Sequence, residues 1–270
     1  MSSLKSRVLV AVVGVPVLLW VVLWAPVYVV SIALALLSAI GAYELMKCVG
    51  AYSPWRLSTA VLACFVVLAT ELLPWPEGMS VTTVLTAVLF VCFAVAVFKA
   101  GEIKFLDIAA VFLSATAIPY AFSAFLRIEA MGLHRAWLLL PFILSFACDT
   151  FAYFVGCTIG KHKLAPKVSP KKSVEGSIGG LAGNVLCGCL FAFVMNRWFG
   201  GSIGYGTMVI LALLCGVVAQ IGDLSFSLIK REFGIKDYGK LFLAHGGVLD
   251  RFDSVLFVAP VIEIVLNLVK

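Results

Sequence analysis

Apolar runs of about 20 residues recur along this chain, and short polar gaps separate them. No other feature limits its fold as much. About 20 apolar residues in a helix, at 1.5 Å rise each, cover a hydrocarbon layer of about 30 Å. The runs are continuous, whereas strands of a transmembrane barrel alternate over about 10 residues. Composition agrees: 63% of residues are hydrophobic and 13% are charged, against about 25% charged in soluble domains. The expected fold is all-α, a polytopic integral membrane protein with about nine transmembrane helices. These are placed at about 7–24, 27–47, 56–73, 80–98, 105–126, 135–157, 176–197, 204–229 and 249–268. Residues 1–130 are expected to carry five of them, and residues 131–270 the other four with the functional loops. Trp24, Trp75, Trp137 and Trp198 fall near expected helix ends, where interface anchors belong.

Charge placement orients the chain. With the N-terminus cytoplasmic, all of the 20 Lys and Arg residues except Arg127, Arg135, Arg197 and Lys270 fall on the cytoplasmic side. That is a strong positive-inside bias. The two longest polar loops, 158–175 and 230–248, then face the cytoplasm. The first apolar segment, after Lys5 and Arg7, reads as a retained helix rather than a cleaved leader. The eight cysteines show no metal-type spacing and read as small apolar side chains.

Carboxylates inside apolar helices are costly and mark cavities or partners. Asp223 lies seven residues before Lys230 and Asp149 twelve before Lys161, about 10 and 18 Å from the cytoplasmic end by helical rise. Asp250 and Asp253 share a face at the start of the last helix. These four aspartates can converge in the cytoplasmic half. Hard oxygen donors of that kind suit Mg²⁺ completed by a ligand's phosphates. The alternative is that Arg251, Lys230 or backbone donors neutralise each acid singly. Glu44 is expected to pair with Lys47 at the interface, and Glu263 to serve a structural contact.

The loop at 158–175 is basic. Ser169-Pro170 suggests a turn, and Ser173 opens the next helix, whose N-terminal amides beside Lys171 and Lys172 suit a phosphate. The other loop repeats the pairing, with Gly246 and Gly247 before the last helix allowing amides to approach an anion. Walker A and dinucleotide-binding glycine patterns are absent.

Residues 227–253 carry Ser227, Lys230, Arg231, Lys236, Asp237, His245, Gly246, Gly247, Asp250, Arg251 and Asp253. This spacing resembles the signature of the bacterial phosphatidate cytidylyltransferase family, also called CDP-diacylglycerol synthases. The Ser-Pro-Lys-Lys-Ser-x-Glu-Gly run at 169–176 and the Gly222-Asp223 pair resemble it too. Leu243 departs from the Pro or small residue common there.

The resemblance implies a transferase that moves CMP from CTP to phosphatidate, giving CDP-diacylglycerol and pyrophosphate in phospholipid biosynthesis. It implies Asp223, Asp250, Lys230, Arg251 and His245 as catalytic. His245 would orient a phosphate or move a proton, or else simply fix its turn. Lys171, Lys172, Ser173, Ser227, Arg231, Lys236, Gly246 and Gly247 would bind substrate. Mg²⁺ would sit on Asp223, Asp250, Asp253 and Asp149, and a second cation is compatible. The expected setting is the bacterial inner (plasma) membrane, multi-pass, with the site on the cytoplasmic side. CTP, phosphatidate and membrane lipid are the expected partners. No nucleic acid partner is expected, and a homodimer is compatible. The competing expectation is an ion-coupled transporter using its intramembrane aspartates. The odd helix number and lack of a repeat speak against that.

Overall fold

The computed structural model describes residues 3–72, 81–201, 203–242 and 246–269. Among them are nine α-helices: α1 (Ser3–Leu23), α2 (Val27–Cys48), α3 (Ser53–Leu72), α4 (Val81–Phe98), α5 (Phe105–Ala130), α6 (Leu140–Ile159), α7 (Val174–Trp198), α8 (Tyr205–Glu232) and α9 (Leu249–Val269). A 3₁₀ turn, Arg135–Leu139, leads into α6. Each expected apolar run is a helix, and Pro16 lies inside α1 without ending it. The protein is an all-α polytopic membrane protein. Among the described residues six segments are long and apolar enough to span a bilayer: α2, α5, the 3₁₀ turn with α6, α7, α8 and α9. The apolar parts of α1, α3 and α4 among the described residues are shorter.

The chain falls into two units, Met1–Leu126 with Phe233–Arg251, and Arg127–Glu232 with Phe252–Lys270. In the first unit α2 packs on α3. Met46, Ala51, Ile108 and Val111 form a buried cluster, against which Trp55 packs. Asp107 ties two helix starts together. Its Oδ1 accepts from the Tyr52 amide at 2.8 Å, and its Oδ2 from the Lys104 amide at 2.7 Å.

In the second unit α7 lies between α6 and α8 in packing order. Glycines make the approach to α6 possible: a Cβ on Gly179 or Gly183 would run into Val155 or Phe151. Small residues let membrane helices close in this way, because packing rather than water exclusion drives their association. Glu263 of α9 takes an ion pair from Arg127 at 2.8 Å, the structural contact expected of it. Trp137 differs from expectation. It is buried and packs edge-on against Phe191, with ring centroids 5.3 Å apart, so it serves the core rather than an interface. Trp24 and Trp198 are exposed, and Trp75 lies outside the described residues.

The basic loop contains structure the sequence does not announce. Strands β1 (Lys163–Ala165) and β2 (Ser169–Ser173) form an antiparallel hairpin. Its turn is Pro166 to Val168, closed by the Val168 amide on the Ala165 carbonyl at 3.1 Å. Ser169-Pro170 therefore begins a strand and is not the turn. Pro166, with its fixed φ, suits the turn position better.

Candidate active site

The hairpin, α6, α7 and α8 together surround a cavity of about 520 Å³ in the second unit. Asp149, Tyr153, Lys171, Lys172, Ser177 and Gln220 are among its lining residues. β2 delivers the lysines. Alternation along the strand separates them, leaving Lys171 exposed and Lys172 half-buried.

Lys172 forms an ion pair with Asp223 of α8. Ser227, one turn further along α8, donates from Oγ towards Asp223 Oδ1 at 3.5 Å. Asp253 of α9 is buried. It lies near enough to Asp223 and Asp149 to feel their negative charge, and near enough to Lys230 to feel its positive charge. Lys230 is itself buried. Three of the four expected aspartates thus share one electrostatic neighbourhood. The carbonyl of Val168 accepts from Arg231 Nε at 3.3 Å, tying the hairpin turn to the end of α8.

The backbone around Ser173 is already committed. Ser173 Oγ accepts from the Gly176 amide at 3.1 Å, a standard N-cap. The Val174 amide donates to the His162 carbonyl at 2.9 Å. Two of the amides at this helix start, those of Gly176 and Val174, are thus already taken within the chain. Glu175 is a further organiser that sequence reasoning passed over. Its carboxylate accepts from the Lys161 amide at 3.0 Å, the His162 amide at 3.2 Å and His162 Nδ1 at 2.5 Å. Its one sequence signal was an acid in the first turn of a helix beside a lysine-rich loop. Deeper in the cavity, Ser177 donates to Gln220 Oε1. Gln220 Nε2 returns a bond to the Ser177 carbonyl at 3.2 Å. This polar link between α7 and α8 was also missed.

Asp250 belongs to the first unit, in the first turn of α9. Its Oδ2 accepts from the Tyr238 amide at 2.8 Å and the Gly247 amide at 2.9 Å. In this arrangement the Gly247 amide binds a carboxylate of its own chain. Gly246 has φ +85°, a left-handed conformation that favours glycine. Glu44 differs from expectation as well. Backbone amides at the start of α9, not Lys47, take both of its oxygens. Lys236 and Arg251 are exposed, and His245 lies outside the described residues.

The donor set bears on the expected metal. Every candidate ligand is a carboxylate oxygen, which suits a hard divalent cation. Among the described residues no three His, Cys, Asp or Glu side chains gather closely enough to hold an ion by themselves. Mg²⁺ fits such a set, because it takes one or two carboxylates and fills its octahedron with water and substrate phosphate.

A polytopic helical protein with a cavity lined by Asp149 and three lysines, one of them paired with Asp223, has the makings of a membrane-embedded transferase acting on phosphates. Residues 5–269 match the cytidylyltransferase family, and the chain belongs to that family of nucleotidyltransferases. It is 31% identical over 265 residues to the phosphatidate cytidylyltransferase of Staphylococcus haemolyticus (strain JCSC1435), covering 97% of this chain and 99% of that one. The enzyme of the same name from Staphylococcus aureus (strain COL) is 32% identical with the same coverage. That from Staphylococcus saprophyticus is 36% identical over 182 residues, 67% of this chain and 68% of the relative. Family membership favours the transferase expectation over the transporter.

Proposed function

We propose that the protein transfers CMP from CTP to phosphatidate, yielding CDP-diacylglycerol and pyrophosphate. The observation that carries this reading is the Lys172–Asp223 ion pair at a lysine-lined cavity. In this reading Lys172 is a phosphate-binding cation and Asp223 a metal-binding anion, each serving as the other's counter-ion before substrate binds. The names of the relatives, matched over nearly their whole length, supply the substrates.

A phosphate oxygen of phosphatidate forms the new bond to the α-phosphorus of CTP. The bond from that phosphorus to the bridging oxygen breaks, and pyrophosphate leaves with the electron pair. The nucleophile is already anionic, so the protein's task is positioning and charge neutralisation. Lys172 moves from Asp223 to a phosphate oxygen as substrate enters. Lys171, Lys230, Arg231, Lys236 and Arg251 neutralise the remaining phosphate charge, Ser173 and Ser227 line the approach, and His245 orients a phosphate. Asp223, with either Asp253 or Asp149, would hold Mg²⁺ through one or two carboxylates, with water and substrate phosphate completing the set; the family signature alone assigns Asp250 a ligand role. When bound, Mg²⁺ would offset charge on the phosphates and make the α-phosphorus more electrophilic.

The acyl chains reach the cavity from the bilayer. Positive-inside bias supports a site on the cytoplasmic face, and the bacterial relatives support an inner-membrane setting. Pyrophosphate release by the purified full chain tests the reading: it should require CTP and phosphatidate together. Release from CTP alone, or none with both present, would contradict it.

A further inference from the structure

Glu44 sits near the C-terminal end of the apolar helix α2, 204 positions from its hydrogen-bond partner, and no step above uses it. Its carboxylate is 6% exposed. Oε1 accepts from the Val248 amide at 3.1 Å and Oε2 from the Leu249 amide at 3.0 Å. These amides open α9, where the positive end of the helix favours an anion. Gly239 and Gly247 press on the same carboxylate from the loop, and a Cβ at either position would overlap it. Asp250 holds the loop from the other side through the Tyr238 and Gly247 amides. Two carboxylates thus divide the backbone donors of one loop between them, with Gly247 as the shared hinge.

We infer that Glu44 is a positioning residue for the transfer reaction: it fixes the 246–250 segment and so sets where Asp250 stands. Here both oxygens are used on consecutive amides directly before Asp250, and two glycines are required to admit them. Burying a carboxylate in an apolar helix is costly, and this geometry offsets that cost only if the loop keeps this one shape. The inference rests on reading residues 227–253 as part of the active site.

The test uses the full chain in lipid-containing micelles, with amide hydrogen exchange and steady-state kinetics measured on the same preparations. In Glu44→Gln one oxygen becomes an N–H₂ group facing an amide donor. Exchange across 246–250 should quicken about tenfold, as for one lost hydrogen bond, while exchange in α2 stays as in the parent. Turnover should fall about 100-fold, as for a misplaced group, with KM for CTP unchanged. Glu44→Asp, which keeps both acceptors, should recover part of the loss. Unchanged exchange or unchanged turnover in Glu44→Gln overturns the proposal. If that variant also loses protection in α2 and α5, Gly239→Ala decides, since its methyl group displaces the carboxylate without removing it. Local loosening with slow turnover supports positioning. Parental behaviour or a second general collapse overturns it. If the parent chain itself transfers no CMP, the functional reading fails, and the exchange result still judges whether Glu44 fixes the loop.

Discussion

Lys172 on β2, which lines the cavity, forms an ion pair with Asp223 on α8. Each is the other's counter-ion, and neither is fully exposed. A pair of this kind resolves the problem of keeping a carboxylate ready for a cation inside a membrane protein. In the proposed reaction the acid stays neutralised until substrate arrives, and the lysine is then released onto phosphate.

Substitution at the two ends should therefore have different signatures. Asp223→Asn should lower turnover by about 10²- to 10³-fold, the scale of a lost electrostatic contact to a transition state, and raising Mg²⁺ should not restore it. Lys172→Met should mainly raise KM for CTP, by about 10- to 100-fold, as expected for a lost charge-assisted bond. Steady-state pyrophosphate release over a grid of CTP and Mg²⁺ concentrations separates the two.

The hairpin that carries Lys171 and Lys172 hangs on Glu175. Two backbone amides and one imidazole nitrogen converge on it. Glu175→Ala removes all three bonds, while His162→Ala removes only the side-chain one. Limited proteolysis should cut the 161–173 segment faster in Glu175→Ala, and turnover should fall with it. His162→Ala should stay near the parent in both, because its side chain is 80% exposed and exposed pairs contribute little. Equal effects of the two substitutions would contradict the clamp.

Gly222, directly before Asp223, is a site of close approach between α8 and α9. A Cβ there would lie 2.8 Å from the Asp253 carbonyl and 2.9 Å from the Phe257 ring. Gly222→Val should destabilise the fold by about 1–3 kcal/mol, as overpacking does, and shift Asp253 away from Asp223. A lowered thermal midpoint in detergent, together with reduced turnover, is the expected outcome.

How much of this was legible in the sequence depends on the range of the interaction. Continuous apolar runs place helices well, since spanning a hydrocarbon layer demands both length and apolarity. Hence α2, α4 and α9 begin and end within a residue or two of their expected limits. The hairpin was not legible, because a short strand made of Ser169, Pro170, Lys171, Lys172 and Ser173 shows no apolar alternation. The residue types at Asp223 and Lys172 were legible, but not their pairing. Glu44 was misjudged because Lys47 is close in sequence, whereas its actual partners, the amides of Val248 and Leu249, are separated from it by most of the chain. Trp137 looked like an interface anchor because it stands near a helix end, and only packing against Phe191 shows it to be core.

The central claim is that this chain is a CTP-specific transferase acting on phosphatidate. CTP labelled at the α-phosphorus, incubated with the purified protein, Mg²⁺ and phosphatidate vesicles, tests it most directly. The account requires the label to enter the lipid fraction, with one pyrophosphate released per labelled lipid, and requires ATP to be a far poorer donor. Label that remains in the aqueous phase, or equal transfer from ATP and CTP, would contradict it.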